Sequence, residues 1–284
     1  MQLITWNIQR ARGPEGRTDL NRAVAYVRRL ADFDVLCLQE VSSGFTDLPG
    51  CDGSDQFQGL AARLPGYNAF ACLSTDTLHP SGARRMFGNM IFSRYPVLQV
   101  FRHSLPWPSD PGVMSMQRVA LEVTLDTPLG LLRVTNTHLE YFSALQRKAQ
   151  VERLRELHRE AVCQARSERP GEHTAGPFCA VPRAAAGLLV GDCNYLPGSE
   201  EHVRMQAPFD EPISPYCDVW QTVHPGRPHA PTVGLYDKSA DRSPPFTFDF
   251  AYVTQDIAQR VHGVKVDASC NGSAHQPILV ELAR

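Results

Sequence analysis

Short apolar runs that stop at a polar residue are the feature that most limits how this chain can fold. The clearest run, Leu188–Val190, stops at Gly191 and is followed by Asp192 and Asn194. A run of this length between turn-forming residues is typical of a buried β-strand. Residues two apart on an extended chain point the same way. The pattern therefore predicts a carboxylate and a carboxamide side by side at a strand end, although an Asx-rich turn explains the same residues equally well.

Two further strands are predicted near the N-terminus, and each ends in a polar residue. Residues 2–9 form a strand with Asn7 at its polar tip. Residues 34–38 are the apolar part of a second strand, whose polar end is at Glu40. Sites in α/β sheets form where strands end. We therefore expect Asn7 and Glu40 at one edge of a sheet.

Helices are few in the predicted structure. One begins after Thr18 or Asp19, where apolar residues recur at helical spacing. The longest covers residues 143–163, and its Ser143 and Gln146 have capping-box spacing.

Strands make up most of the remaining predicted structure. They are expected at 67–73, 87–103, 117–126, 131–139, 248–254, 259–267 and 278–282, with a hairpin-like turn at Ser93–Pro96. Strands and helices do not alternate strictly, which disfavours a Rossmann fold or a βα barrel. The sequence predicts one domain over residues 1–284, of the α/β (α+β) class, with two mixed sheets and helices outside them.

The composition argues against several classes of protein, but it leaves open an active site that meets a phosphate locally. The net charge is −2 and the sequence pI is about 6.5, whereas a protein that contacts many nucleic-acid phosphates carries an excess of Lys and Arg. No apolar run reaches the roughly 18 residues of a membrane span, and the N-terminus lacks the features of a signal peptide. The eight cysteines include no CxxC pair. We therefore expect a cytoplasmic protein with reduced thiols and no zinc site.

Polar residues at or beside the ends of apolar strands are the candidate functional residues: Asn7, Glu40, His138, Asp192, Asn194, Asp249 and His275. Each has an ordinary explanation when it is taken alone. Glu40 can be a solvated strand end, and a single histidine such as His138 is more often half-buried and hydrogen-bonded than functional. Asp249 alternates with Phe248 and Phe250, so it is expected either at the surface or beside a partner.

The motifs around these residues come in the order used by one superfamily. They are Thr-Trp-Asn-Ile, Leu-Gln-Glu-Val, Ser-Arg-Tyr-Pro, Asn-Thr-His-Leu, Gly-Asp-Cys-Asn, Phe-Asp-Phe-Ala-Tyr-Val and Ser-Ala-His-Gln-Pro-Ile. Each motif is short, but the series in this order is specific. From residue 2 to about residue 282, the chain resembles the endonuclease/exonuclease/phosphatase superfamily, the deoxyribonuclease-I-like metal phosphoesterases.

The resemblance implies a four-layer sandwich, in which two mixed β-sheets pack face to face between helices and the site lies at one edge. It also implies a divalent metal, Mg²⁺ or Mn²⁺, held by Glu40 with Asn7 and Asp249 nearby. Hard oxygen ligands suit these ions. The metal would polarise a phosphoryl oxygen and offset charge on the leaving oxygen.

The same resemblance implies the catalytic roles. His275 would be the catalytic histidine, oriented and kept basic by Asp249. Asp192 would position or deprotonate the attacking water, and Asn194 would donate to a phosphate oxygen. His138 would donate to the phosphate or assist the leaving group. The sequence leaves open which of these groups is the acid and which the base.

Two positions stand outside this series. Arg118 is expected either to face a phosphate or to be a surface arginine on a strand, and neither reading is favoured. Ala274 stands where the superfamily usually has an aspartate before its last histidine. That aspartate is generally taken as a ligand or charge near a second metal position. Its absence predicts one well-bound metal ion and a weakly bound second one.

The expected substrate is a phosphate ester, which could be nucleic acid, a nucleotide, or a phospholipid or inositol phosphate headgroup. The expected reaction is metal-dependent hydrolysis of a phosphodiester by direct attack of water. Two alternatives remain open: a phosphomonoesterase, and a degenerate member that binds a phosphate-bearing partner without turnover. The sequence does not predict the oligomeric state.

Two segments are expected to set the substrate. One is the start of the helix after His138, with Tyr141, Phe142, Gln146, Arg147 and Gln150. The other is the irregular stretch 221–247, with His224, His229, Thr232, Tyr236, Asp237 and Lys238. The histidines of this stretch are expected to be solvated loop residues. No aromatic and basic platform for single-stranded nucleic acid is evident.

Overall fold

The protein is described here by a computed structural model that covers residues 1–167, 176–177, 179–236 and 244–283. The strands are β1 (Gln2–Asn7), β2 (Val35–Ser43), β3 (Asn68–Leu78), β4 (Arg84–Ser93), β5 (Val97–Ser104), β6 (Val119–Thr127), β7 (Gly130–His138), β8 (Gly187–Asp192), β9 (Tyr216–Asp218), β10 (Asp249–Thr254), β11 (Val261–Val266) and β12 (Ile278–Leu282). The α-helices are α1 (Leu20–Leu30), α2 (Gln56–Arg63), α3 (Ala144–Arg166), α4 (Glu200–Met205) and α5 (Val219–Val223).

These strands form two mixed sheets of six strands each. The first has the order β11-β12-β1-β2-β4-β3, and the second has the order β5-β6-β7-β8-β10-β9. Each sheet contains a central parallel pair, β1 with β2 and β7 with β8. Parallel strands need a long crossover, and here the crossovers contain α1 and α3.

Alternate side chains of the central strands enter different cores. Leu3 and Val190 belong to the core between the two sheets. Ile4 packs instead with residues of α1 and α2, and Leu189 packs with residues of α3. Strands covered on both faces are apolar throughout, which explains the unbroken apolar runs in the sequence. The predicted four-layer arrangement of two mixed sheets between helices is confirmed.

The predicted helix starts are confirmed by their caps. The Asp19 side chain accepts the backbone N–H of Arg22 at the start of α1. Ser143 Oγ accepts the backbone N–H of Gln146 over 3.1 Å at the start of α3. Gln146 Nε2 donates to the Pro108 carbonyl, so the side chain of Gln146 connects α3 to the loop between β5 and β6.

Ser93–Pro96 does not close a hairpin, so that prediction was wrong. β4 pairs with β2 and β3 in the first sheet, whereas β5 pairs with β6 in the second. The four residues therefore carry the chain from one sheet to the other. The same turn residues serve a hairpin and a crossover, and only the pairing partners distinguish the two.

β2 extends beyond the predicted end at Glu40, and that boundary was also wrong. The register of β2 with β4 shifts between Leu38 and Val41, and Glu40 has a φ of 58°. Glu40 therefore lies on a bulge within the strand. A bulge redirects a side chain out of the regular alternation, and here it directs Glu40 toward the polar residues described below.

Two further observations concern membrane-spanning helices and the cysteines. None of the helices in the described part of the chain is long and apolar enough to cross a membrane. All eight cysteines have free thiols.

Candidate functional site

Three candidate residues come together because their strands are neighbours in the second sheet. Asp192 ends β8 and is in register with His138 of β7 and with Asp249 of β10. His275, which precedes β12 of the first sheet, completes the group. Its Nδ1 lies 2.8 Å from Asp249 Oδ2, and its Nε2 lies 3.7 Å from Asp192 Oδ2. Two carboxylates and two histidines, all buried, thus meet where the sheets face each other.

Asp192 is the centre of this group. Its Oδ2 accepts from Asn7 Nδ2 over 2.9 Å and lies 3.5 Å from His138 Nε2. Burial raises the pKa of Asp192 to about 7, and the negative charge of Asp249 adds to the effect. A carboxyl group with this pKa can take up and release a proton near neutral pH.

The two histidines have pKa values displaced in opposite directions. Burial lowers the pKa of His138 well below its usual value, and the positive charges of Arg118 and His275 lower it further. Burial would also lower the pKa of His275, but Asp249 and Asp192 outweigh that effect and raise it to about 10. At neutral pH His138 is therefore neutral and His275 is a cation. Paired groups with separated pKa values are typical of acid–base sites.

The turn after β8 determines where Asn194 lies. A Cβ on Gly191, whose φ is 141°, would lie 1.9 Å from the Thr137 carbonyl oxygen of β7, so the close approach of these strands requires glycine. Asn194 has a φ of 53°. Because it is not extended, the expectation that it points with Asp192 by simple strand alternation was wrong. The turn nevertheless brings both side chains to one pocket, where Asn194 Nδ2 donates to the Leu139 carbonyl.

Asn7 links this group to Glu40. Its Nδ2 donates to Glu40 Oε1 over 3.0 Å as well as to Asp192, while its Oδ1 accepts the backbone N–H of Gln9. The other Glu40 oxygen accepts from Arg10 NH1 over 2.8 Å. Arg10 was not predicted, because it lies in a short 3₁₀ turn after β1, Gln9–Ala11, and has no strand-end pattern.

Arg118 is buried, so its reading as a surface arginine was wrong. Its Nε donates to Glu140 Oε2 over 3.1 Å, and Glu140 is inaccessible to solvent. Arg118 lines the same pocket as His138. Glu140 was not predicted either. The available signal was a carboxylate two residues after His138 at the end of a buried strand.

The pocket has a charged side and an aromatic side, and its volume is about 460 Å³. The aromatic side is formed by Tyr141, Phe142, Phe246 and Phe248. Ring centroids lie 4.8 Å apart between Tyr141 and Phe142, and 6.1 Å apart between Tyr141 and Phe248. The sequence indicated Tyr141 and Phe142 as residues near the substrate, but it did not indicate Phe246 and Phe248, because the two halves of the wall are about 100 residues apart.

The other residues expected to set the substrate have different roles. Gln150 is buried and its Nε2 donates to the Pro106 carbonyl, so it supports the loop before β6. His229 is not solvated, contrary to expectation, because its side chain is 8% exposed and its Nε2 lies 2.7 Å from Asp218 Oδ2. Asp237 and Lys238 lie outside the described residues.

His202, Asp218 and His229 form a second cluster of potential metal ligands, but its hydrogen bonds argue against a metal. The backbone N–H of Gly198 donates to His202 Nδ1, so the ring proton lies on Nε2. That nitrogen lies 2.8 Å from Asp218 Oδ2. A histidine that binds a metal through Nε2 would instead carry its ring proton on Nδ1 and donate it to a neighbouring acceptor. The two histidines therefore hold the Asp218 side chain in place, and Asp218 in turn caps the start of α5.

The charged side of the pocket suits a divalent cation. Potential donor atoms of Asp192, Asp249 and His275 lie within 4.8 Å of one another. Asp249 Oδ1 is buried and has no hydrogen-bond partner among the described residues. Together with Glu40, these groups comprise three carboxylates and one imidazolium. Their excess of negative charge and their oxygen donors fit a hard ion.

Similar proteins are known from both sequence and structure. The sequence model described as the Endonuclease/Exonuclease/phosphatase family matches residues 4–275. No curated protein matches the chain. An endonuclease/exonuclease/phosphatase from Beutenbergia cavernae DSM 12333 has 25% identity and a TM-score of 0.63, covering 99% of this chain and 70% of the other.

Two more distant structures share the fold. One is a mannosyl-6-phosphatase from Bacteroides thetaiotaomicron VPI-5482, with 15% identity, complete coverage (100%) of both chains and a TM-score of 0.66. The other is the 3′ phosphatase NExo from Neisseria bound to a product DNA hairpin. It has 20% identity, 100% coverage of both chains and a TM-score of 0.63.

Proposed function

The chain belongs to the endonuclease/exonuclease/phosphatase family, whose members hydrolyse phosphate esters, and on that basis we propose that it is a metal-dependent phosphodiesterase. The observation that carries the proposal is the register of β7, β8 and β10. It brings His138, Asp192 and Asp249 side by side, with His275 hydrogen-bonded to Asp249. Separated histidine pKa values then supply one neutral and one charged imidazole for proton transfer and charge stabilisation.

Asp192 accepts the proton of the attacking water. Its pKa of about 7 is close to the pH at which a general base works best. Asn7 and the backbone N–H of Asn194 hold the two Asp192 oxygens. The carboxylate is therefore already oriented when a substrate enters.

His275 is the cation that meets the phosphate. Asp249 fixes its Nδ1, which leaves Nε2 on the side of Asp192. The imidazolium stabilises negative charge that develops on the phosphoryl oxygens. His138, as a neutral imidazole, donates a hydrogen bond to the phosphate or to the leaving oxygen, and Asn194 donates one to a non-bridging oxygen.

Glu40 is the proposed principal ligand of the divalent metal, Mg²⁺ or Mn²⁺, with Asn7 and Asp249 beside it. When bound, such an ion would polarise the phosphoryl oxygen and offset charge on the leaving oxygen. Asn7 orients Glu40 and Asp192 through its amide nitrogen. Ala274 supplies no carboxylate, so we propose one strong metal site and a weak second one.

Direct attack of water is supported by the side chains that line the pocket. The described lining residues include no serine, threonine or cysteine. Cys193 is buried nearby, and burial raises its pKa well above the usual range, so its thiol is unreactive. These features favour hydrolysis without a covalent seryl or cysteinyl intermediate.

The aromatic wall supports a substrate that carries a planar or apolar group next to its phosphate. Tyr141 and Phe142 keep 37% and 52% of their surface exposed, so a ring can pack against them. A nucleotide meets this requirement. Proteins of the same fold include a mannosyl-6-phosphatase and a DNA-bound 3′ phosphatase, so monoesters belong in the substrate panel.

The test is hydrolysis of bis(p-nitrophenyl) phosphate with Mg²⁺ or Mn²⁺, compared with EDTA, followed by a panel of nucleotides, sugar phosphates and DNA. We expect metal-dependent turnover of the diester. Glu40→Gln and His275→Gln should each reduce kcat by about 100-fold or more, as expected when a metal ligand or an acid–base group is lost.

The matched controls are Glu211→Gln and His262→Gln, which alter residues away from the pocket. Both should retain wild-type turnover. If neither diesters, monoesters nor DNA are hydrolysed under any metal condition, the hydrolase proposal fails and the protein is better described as a phosphate-binding member of the family.

A further inference from the structure

Arg10 brings a positive charge to the carboxylate that is the proposed metal ligand. Its NH1 lies 2.8 Å from Glu40 Oε2, and the two side chains are only 15% and 14% exposed. The other Glu40 oxygen accepts from Asn7. Both oxygens of Glu40 are therefore already engaged by protein donors.

The backbone at both ends of this ion pair is in the left-handed region. Arg10 has a φ of 61°, its neighbours Gln9 and Ala11 have φ values of 45° and 56°, and Glu40 has a φ of 58°. Residues other than glycine seldom adopt this conformation. They persist where the surroundings enforce it, and they cluster at functional sites.

Two side chains hold the Arg10 backbone in this conformation. Gln56 Nε2 donates to the Arg10 carbonyl over 2.9 Å, and Thr18 Oγ1 donates to the same oxygen over 3.2 Å. Gln56 is buried at the start of α2. The backbone is therefore anchored, and the guanidinium can leave Glu40 only by rotation of its own side chain.

The same turn also occupies the neighbourhood of Ala274. Gln9 Oε1 accepts the backbone N–H of Ala274 over 3.2 Å. The Gln9 amide and the Arg10 guanidinium, from adjacent residues, thus both lie against the charged side of the pocket. Arg10 offsets part of the negative charge that would otherwise attract a cation.

We propose that Arg10 is a built-in counterion of Glu40 that competes with the divalent cation and thereby lowers metal affinity. The inference rests on the proposed function, which assigns the cation to Glu40. Occupation of the metal site requires the guanidinium to turn away from Glu40 Oε2. Arg10 is therefore a residue that sets metal affinity, and it needs no contact with the substrate.

The test is calorimetric titration of Mn²⁺ into metal-free protein. Arg10→Gln should tighten binding by about tenfold, within the usual size of coupling between two binding events. Arg10→Lys keeps the charge but loses the planar fork, so its affinity should lie between those of Arg10→Gln and wild type. The control is Arg12→Gln, which removes the same charge in the same loop and affects no ion pair seen among the described residues. It should bind like wild type.

Thermal unfolding gives a second readout that does not depend on activity. In EDTA, Arg10→Gln should lower the Tm because Glu40 loses its counterion, and saturating Mn²⁺ should remove the difference from wild type. If Arg10→Gln binds Mn²⁺ no more tightly than wild type while Glu40→Gln abolishes binding, the competition is refuted and the metal site stands. If binding survives Glu40→Gln, or wild type binds no Mn²⁺, both the metal site and this inference are refuted.

Discussion

Replacement of Asp249 by asparagine tests the carboxylate–histidine pair most directly. In the folded protein the pKa of His275 is about 10, against an ordinary value of 6.5. The difference corresponds to about 5 kcal/mol of preference for the charged imidazole, at 1.36 kcal/mol per pKa unit. Asp249→Asn removes the principal source of this preference. We expect the pKa of His275 to fall by about 2 units, the usual effect of one close opposite charge.

The same change alters how stability depends on pH. The folded-state pKa of His275 lies above its unfolded value. Its contribution to the free energy of unfolding is therefore fully present below about pH 6.5 and is lost as the pH rises toward 10. Metal-free wild type should lose stability across this range, and Asp249→Asn should lose much less. The pKa of Asp192 is also raised, to about 7. Its contribution to stability is lost as the pH rises from the ordinary pKa of an aspartate to about 7, which is a lower pH range than that of His275.

The assay is an NMR titration of the His275 ring in EDTA, with urea unfolding at pH 6, 8 and 10. The control is Asp126→Asn, which removes an exposed carboxylate on β6 and should leave both measurements unchanged. A wild-type His275 that titrates near its ordinary value would contradict the assignment. So would an Asp249→Asn variant that titrates like wild type.

Three other changes probe the pocket. Gly191→Ala should destabilise the protein by roughly 1–3 kcal/mol or more in urea unfolding, because its Cβ would overlap the neighbouring strand; wild-type stability would mean that β7 and β8 can separate easily. Ala274→Asp should tighten Mn²⁺ binding and bring a second ion into the calorimetric titration, since it adds a carboxylate directly before His275; two tightly bound ions in wild type would contradict the reasoning. Phe142→Ala should raise KM for a nucleotide substrate by about tenfold, as expected for loss of a stacked ring, with little change in kcat; an unchanged KM would exclude the ring from the substrate site.

The sequence by itself predicted much of the framework. The strand runs were recognisable because strands buried on both faces are apolar throughout. The starts of α1 and α3 were recognisable because Asp19 and Ser143 cap them within a few residues. These signals are local, since each depends on neighbours within about one turn of helix or one strand. The order of the short polar motifs then indicated the family, which the comparison with known proteins confirmed.

Contacts between distant residues were decided only by the tertiary structure. Ser93–Pro96 joins two sheets, and the Arg10–Glu40 and Arg118–Glu140 pairs connect segments between which the sequence shows no pattern. The aromatic wall likewise combines residues about 100 positions apart.

The protonation states of the two histidines also depend on the folded site. His138 and His275 are the same kind of side chain at strand ends, but burial leaves one neutral while two buried carboxylates keep the other charged. That difference arises from the charges that surround each ring after folding, and no local stretch of sequence encodes it.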